Sequence, residues 1–258
     1  MSLFDLTGKT AVIIGGGSGI GEAVTLGCAQ HGARVVCLDI NGEAAARVAK
    51  EAGAQAESGA LDIRDATAVD STFDRIRDAH GSLDVVVCTP AINVRKKILD
   101  YQNEELDRVI ELNLKGNFNV LRAAGRIMTA ERRGSIVLFS SIRAQVVEPG
   151  QAVYAATKAG VLQMARTAAA EFGPYGVRVN AIGPGVIETP LTEPIKRNQD
   201  WFNAYAAKSV FNRWGRAEEM VGPVLFLASD AASFVTGTIL YADGGWLAAD
   251  GRFTPPGM

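Results

Sequence analysis

Short, nearly unbroken apolar runs recur along the chain at Ala11 to Ile14, Arg34 to Leu38, Val85 to Cys88, Ser135 to Phe139, Val177 to Ile182 and Thr238 to Tyr241. A run of this length without polar alternation fits a strand covered on both faces, as in a parallel sheet. A weaker run at Ala56 to Leu61 fits one more strand. Between the runs lie Ile20 to Gln30, Gly42 to Ala52, Thr67 to Ala79, Glu104 to Glu131 and Ala152 to Phe172, all rich in Ala, Leu, Glu and Arg with few breakers, as helices require. The alternation predicts an α/β protein built on a doubly wound parallel sheet of about seven strands with right-handed crossovers. No Pro-, Ser- or Gly-rich linker interrupts it, so residues 1–258 read as a single domain.

One stretch departs from the repeat. After the sixth strand, Gly183 to Arg216 carries Pro184, Pro190, Pro194, Trp201, Phe202, Tyr205, Phe211 and Trp214. Long connections at the carboxyl ends of strands tend to be binding loops, so residues 186–216 are expected to form a short substrate lid. A helix pair packing its aromatics into the core is the other reading, and the two are compatible.

Composition narrows the partners. The 258 residues include 48% hydrophobic and 21% charged side chains, which excludes disordered and fibrous classes. Lys and Arg number 26 against 28 Asp and Glu, a net charge of -2 that gives no overall attraction to nucleic acid or anionic membranes. The first ten residues lack the basic and apolar regions of a secretory signal, and no apolar run is long enough for a membrane span, so a cytoplasmic protein is expected. The three cysteines, Cys28, Cys37 and Cys88, sit among apolar residues, and no disulfide is expected. His31 and His80 belong to no cluster with ligand spacing, so no metal is expected.

The first strand runs into Gly15-Gly16-Gly17-Ser18-Gly19-Ile20-Gly21 and then a helix. Glycines there let backbone N–H groups approach a pyrophosphate, which the dipole and free donors of the helix N-terminus favour. Asp39 ends the second strand 18 residues after Gly21, where a carboxylate can accept from an adenosine ribose and repel a 2′-phosphate. Neither Gly16, Gly17 nor Ile40 supplies a cation, so NAD(H) is expected over NADP(H). Asp62 is placed either at the adenine or as a helix cap.

Tyr154 and Lys158 stand four apart and share one helix face. Free tyrosine, with a pKa of about 10, is scarcely ionised at neutral pH, and lowering that value by about three units needs about 4 kcal/mol from nearby positive charge. Ser140-Ser141 follows the strand ending at Phe139, so a hydroxyl emerges at the carboxyl end of the sheet.

Together these residues resemble the short-chain dehydrogenase/reductase family over essentially the whole chain. Ile14 to Gly21 is similar to its T-G-x-x-x-G-I-G turn with Ile for Thr, and Tyr154 with Lys158 matches its Y-x-x-x-K. Ser141, 13 residues before Tyr154, falls at its serine, and Asn113 at the asparagine of its fourth helix. Asn180 to Pro190 resembles its N-x-x-x-P-G-x-x-x-T segment. The resemblance implies a Rossmann fold with a cofactor half at about 1–140 and a catalytic half at about 141–258. It implies Tyr154 as general acid and base, Ser141 as hydrogen-bond donor to the substrate oxygen, Lys158 as modulator of the tyrosine and ligand of the nicotinamide ribose, and Asn113 as a bend in its helix holding a relay water. Gly15, Gly17, Ser18, Gly19 and Ile20 would hold the pyrophosphate, Asp39, Ile40, Asp62 and Ile63 the adenosine end, and Pro184, Gly185, Val186, Ile187 and Thr189 the nicotinamide end. Tyr154 and Lys158 would complete the cofactor site.

In place of the family's N-N-A-G this chain has Cys88-Thr89-Pro90-Ala91, where Pro90 removes a backbone donor, so coupling to the central sheet must be made differently. Arg143 lies two residues after Ser141, with Gln145 and Glu148 in the same loop, and Arg95-Lys96-Lys97 follows the fourth strand. This points to a polar or anionic substrate such as a sugar, polyol or sugar acid, anchored by Arg143 through charge-assisted hydrogen bonds. A structural ion pair of Arg143 with Glu148 or with a neighbouring subunit is the other reading. A 3-oxoacyl-thioester reductase remains an alternative, as does, in another class, an idle NAD(H) sensor or assembly subunit. The family also implies a homotetramer through the helices Glu104 to Glu131 and Ala152 to Phe172, with Trp246 to Met258 reaching a neighbour.

Overall fold

Thr10–Ile14 (β1) lies at the centre of the sheet, and all five residues are buried. Side chains alternate, so Val12 and Ile14 enter the core on one face while Ala11 and Ile13 enter the core on the other. In this computed structural model, which describes residues 3–249, β1 is joined by β2 (Arg34–Asp39), β3 (Ala56–Ala60), β4 (Val85–Cys88), β5 (Gly134–Phe139), β6 (Val177–Pro184) and β7 (Ile239–Ala242). They form one seven-stranded sheet in the order β3-β2-β1-β4-β5-β6-β7, and every pairing is parallel. This is the Rossmann-type α/β fold expected from the apolar runs.

Helices cover both faces. The face of Val12 and Ile14 packs against α3 (Ala66–His80), α5 (Asn117–Glu131) and α6 (Ala152–Phe172). The other face packs against α1 (Gly19–Gln30) and α9 (Val221–Ala228), while α2 (Gly42–Ala52) closes over Cys37. Phe73 of α3 is 0% exposed in the first core, and its truncation to Ala is expected to cost about 3–5 kcal/mol. Cys28, Cys37 and Cys88 are free and buried. Burial pushes their thiols up to about 12, 11 and 12, so they act as small apolar side chains.

The helix expected from Glu104 to Glu131 is interrupted at Asn113, where the family resemblance implies a bend. α4 (Asn103–Ile110) passes through a π-turn at Glu111–Gly116 before α5 begins. The reason is local: the Asn113 side chain turns inward to bond the Ile92 backbone, and the Asn117 Nδ2 takes the Asn113 carbonyl at 2.9 Å. The lid segment contains two short helices, α7 (Glu193–Lys196) and α8 (Gln199–Ala206), and returns to the body at a bridge between Ile187 and Gly215.

The chain moves outward from β1 to β3, then crosses back to β4 on the other side of β1. The crevice at the carboxyl ends of β1 and β4 is therefore the place for a ligand. Among the described residues no helix is long and apolar enough to cross a membrane.

Candidate active site

The glycine turn occupies that crevice. Gly15 has φ 77° and Gly19 φ 54°, conformations open to glycine at little cost. Gly15 and Gly16 N–H both donate to the Leu38 carbonyl, tying the turn to β2. A Cβ on Gly21 would stand 1.9 Å from the Gly15 carbonyl oxygen, so α1 and the turn approach each other at backbone contact. Ser18 precedes α1 without a side-chain cap, leaving the first-turn donors to another acceptor. These features fit a dinucleotide pyrophosphate.

A cleft of about 460 Å³ runs from this turn past Asp39, Ile40, Asp62 and Ile63 and is closed by Thr189, Pro190 and Leu191. Asp39 Oδ2 accepts from Gly17 N–H at 3.0 Å, so Gly17 sits behind the cleft and positions the carboxylate. Asp62 is not the cap of α3; Asp65 is, accepting from Ala68 N–H. The Asp62 carboxylate is instead held by Arg64, Nη2 to Oδ2 at 2.6 Å, and these hydrogen bonds keep its pKa below the usual value. Thr89 supplies the coupling that Pro90 does not: its N–H and its Oγ1 both donate to the Ile14 carbonyl, at 3.1 and 2.9 Å.

Of the nicotinamide-end residues, Gly185 and Val186 line a second pocket of about 270 Å³ and Thr189 lines the cleft. Pro184 lies inside β6, opposite Ala242, and Ile187 is 5% exposed in the core beneath α9. Neither lines these two cavities, and Ile187 lines with Gly185 and Val186 a further pocket of about 290 Å³.

The second pocket brings Ser141 and Tyr154 together. Ser141 caps the turn that follows β5, accepting from Arg143 N–H at 3.1 Å. Burial pushes the Tyr154 phenol above the usual tyrosine value, while a hydrogen bond from Ser141 and the charges of Arg95 and Arg143 act in the opposite sense. Lys158 lies one turn along α6 from Tyr154. Its Nζ donates to the Phe139 carbonyl at 2.8 Å and stands 5.6 Å from the Tyr154 ring centroid. Burial pulls that ammonium down to about 8. Asn113 supports both helices: Oδ1 accepts from Ile92 N–H at 2.9 Å, and Nδ2 reaches Thr157 of α6 at 3.2 Å.

Arg143 is only 7% exposed and lines the same pocket. The ion pair with Glu148 is present, Nη2 to Oε2 at 2.5 Å. Arg95 Nη1 meets the other carboxylate oxygen at 2.7 Å, and Tyr205 of α8 and Gln151 donate to it as well. Burial alone would raise the Glu148 pKa, yet the hydrogen bonds of Tyr205 and Arg95 and the Arg143 charge hold it below the usual carboxylate value. Arg95 lies 5.2 Å over the Trp201 ring and Arg143 5.4 Å over Trp246. Within the lid segment Tyr205 lines the pocket, while Phe202 stacks on Trp214 at 5.0 Å and Ile195, Tyr205 and Trp214 form a small core.

The sequence reading named Arg95 within a basic run, Thr89 within the segment that replaces N-N-A-G and Tyr205 among the lid aromatics, and singled out neither Asn93 nor Gln151 as a site residue. The legible signal was chemical, since polar residues after β4 and before α6 had to meet at the carboxyl edge of adjacent strands.

A glycine turn at the switch point, a tyrosine beside a serine and a buried lysine define a dinucleotide-dependent α/β oxidoreductase. The chain belongs to the short-chain dehydrogenase/reductase family: residues 15–247 match the family model described as enoyl-(acyl carrier protein) reductase. Similar proteins include a 3-oxoacyl-[acyl-carrier-protein] reductase of Thermotoga maritima, 38% identical over 93% of this chain and 98% of that protein. They also include the gluconate 5-dehydrogenase of Gluconobacter oxydans, 32% identical over 94% and 96%. Among solved structures, a gluconate 5-dehydrogenase from Burkholderia cenocepacia in complex with NADP and tartrate superposes with a TM-score of 0.92 at 31% identity, covering 96% of this chain and 98% of that one. The protein is an oxidoreductase of this family, acting on CH–OH groups.

Proposed function

We propose that the protein interconverts a secondary alcohol and its ketone on a polar, hydroxylated acid such as a sugar acid, with NAD(H) as the hydride carrier. The observation that carries this reading is the meeting of two guanidiniums, Arg95 and Arg143, with Ser141 and Tyr154 around one pocket of about 270 Å³. Glu148 neutralises one of the two guanidiniums, so an apolar carbonyl compound would leave the remaining charge without a partner, whereas a carboxylate or hydroxyl bonds it directly. The gluconate dehydrogenases among the relatives support it.

When bound, the nicotinamide supplies or accepts the hydride. In reduction, Ser141 donates a hydrogen bond to the substrate oxygen and Tyr154 gives that oxygen its proton; in oxidation the Tyr154 phenolate takes the proton back. The Arg95 and Arg143 charges favour the phenolate, and Lys158, below its pKa, adds a third charge from behind. Asn113 fixes the crossing of the two helices that carry Lys158 and itself, and the backbone at Gly185 and Val186 with the Thr189 hydroxyl orients the nicotinamide end.

NAD(H) is preferred in this reading because the Asp39 carboxylate lines the cleft where it would meet an adenosine ribose, and the neighbouring cation, Arg47, is occupied by Glu22 at 2.7 Å and the Gly17 carbonyl at 3.1 Å. The NADP in a related structure makes this a direct test. Affinities for NADH and NADPH are measured first, then turnover is followed at 340 nm with hydroxy acids, polyols, ketones and acyl thioesters. Faster turnover of sugar acids than of neutral polyols, abolished by Tyr154→Phe, supports the proposal. Turnover confined to acyl thioesters would replace it with 3-oxoacyl reduction, the reading favoured by the Thermotoga maritima relative.

We also infer a cytoplasmic homotetramer. A groove of about 590 Å³ between α5 and α6, lined by Phe118, Leu121, Met164 and Phe172, leaves Phe118 49% exposed and suits a second copy of the same helix pair. Sedimentation as a monomer would refute it. The part of the expected tail beyond Ala249 lies outside the described residues.

A further inference from the structure

The pocket beside Tyr154 does not hold two free cations, because Glu148 stands between them. Its carboxylate meets Arg143 at 2.5 Å through Oε2 and Arg95 at 2.7 Å through Oε1. Two guanidiniums and one carboxylate leave a single positive charge at the wall of the substrate space, with Lys158 behind Tyr154 and outside that wall. The other pocket-lining groups, Asn93, Ser141, Gln151, Tyr154, Thr192, Trp201 and Tyr205 among them, are uncharged side chains at neutral pH. The Glu148 carboxylate is half-buried, and its partners come from four separate segments: the loop after β4, the turn after β5, the residue before α6, and α8 of the lid. Tyr205 donates to the oxygen that Arg95 also uses, so this one carboxylate ties the lid to the pocket floor.

The same wall holds an unfilled acceptor. Asn93 Nδ2 donates to Gln151 Oε1 at 3.0 Å, and Gln151 donates onward to Glu148, which fixes the direction of the amides. Asn93 Oδ1 is then buried with no partner, and Asn93 lines the pocket. A buried acceptor without a donor is costly, and a substrate hydroxyl is a donor of the right kind.

We propose that Glu148 is the specificity-determining residue of the pocket: by neutralising one of the two guanidiniums it sets the accepted substrate charge at minus one, so that the site selects a hydroxylated monocarboxylate over both a neutral polyol and a dianion. The proposal rests on the anionic-substrate reading above. A monoanion meets one uncompensated cation, whereas a second negative charge would have to approach the Glu148 carboxylate at close range and low dielectric. Glu148 acts through Arg95 and Arg143 and is a positioning residue in the chemical step.

The test reads binding directly. Trp201 and Trp246 lie under the two guanidiniums, so tryptophan emission of the NAD⁺-loaded full chain is titrated with glycerate, malate and glycerol. Wild type is expected to bind glycerate at least about tenfold tighter than either malate or glycerol, a modest share of the interaction of one extra charge pair near a protein surface. Glu148→Gln, which keeps the shape and removes the charge, is expected to shift the malate-to-glycerate affinity ratio toward malate by about tenfold or more. Arg143→Gln, which lowers the charge to zero, is expected to abolish the preference of glycerate over glycerol, and so keeps the series decisive where one variant fails to fold. Tyr205→Phe removes a neutral donor and is expected to weaken all three probes alike with the ratios unchanged. An unchanged malate-to-glycerate ratio in Glu148→Gln overturns the proposal while leaving the anionic-substrate reading standing. Wild type binding glycerate no better than glycerol overturns both.

Discussion

The cleft at the glycine turn and the pocket beside Tyr154 are built on opposite principles. The cofactor cleft is made from backbone: Gly15 and Gly16 donate to Leu38, Gly21 packs against the Gly15 carbonyl, and α1 opens without a side-chain cap. The pocket beside Tyr154 is made from side chains, with Arg95, Arg143, Gln151 and Tyr205 converging on Glu148 from distant parts of the chain. A backbone cradle recognises what every dinucleotide shares, so its chemistry is tied to a local turn. A side-chain cluster recognises what distinguishes one substrate from another, and exchange of a single residue changes it.

The largest expected effect falls where the two cavities meet. Tyr154→Phe removes the proton donor and is expected to lower kcat by about 10³-fold while NADH affinity changes little, as rapid kinetics and a binding titration would reveal. Gly21→Ala attacks the backbone side: its Cβ, 1.9 Å from the Gly15 carbonyl oxygen, must push the turn open. Cofactor dissociation constants are expected to rise by about 100-fold with the folded-state circular dichroism spectrum retained. Loss of substrate discrimination with unaltered cofactor affinity would contradict the division between the cavities.

On the side-chain side, Arg143→Gln is expected to raise KM for an acidic substrate by about tenfold or more, with less change for a neutral one. It also carries a pH signature. Burial raises the Tyr154 pKa and Arg143 opposes that rise, so alcohol oxidation, which needs the phenolate, increases toward alkaline pH. Ketone reduction, which needs the phenol, declines there. Removing the Arg143 charge is expected to move the acid limb of the oxidation profile to higher pH, and a shift to lower pH would exclude an electrostatic role.

Two smaller effects sharpen the contrast. Asp39→Asn, which removes the charge while keeping an acceptor for Gly17 N–H, is expected to shift the NADH-to-NADPH affinity ratio toward NADPH by about tenfold. Thr89→Val, which deletes the hydroxyl donating to Ile14, is expected to cost about 1 kcal/mol in denaturant unfolding and to leave the KM of an acidic substrate unchanged.

The sequence by itself determined the sheet, because six apolar runs separated by helical segments leave few other ways to bury their faces, with the weaker β3 run at the exposed edge. It determined where the glycine turn and Asp39 stand, because both lie at ends of adjacent strands near each other in the chain. It also placed Ser141, Tyr154 and Lys158 at one edge of the sheet. The tertiary structure decided what those residues feel. The bend implied at Asn113 takes the form of a π-turn, with the Asn113 side chain bonded to Ile92 and Thr157. Lys158 is tied to the Phe139 carbonyl behind Tyr154, and Arg95 and Arg143 from other segments add their charges around the phenol. Pro184 and Ile187, adjacent in sequence to Gly185 and Val186, line neither the cleft nor the pocket beside Tyr154. Local spacing fixes elements and their ends, since helix and strand geometry repeat over a few residues. The direction of a charged side chain and the sum of charges around it depend on segments that only folding brings together.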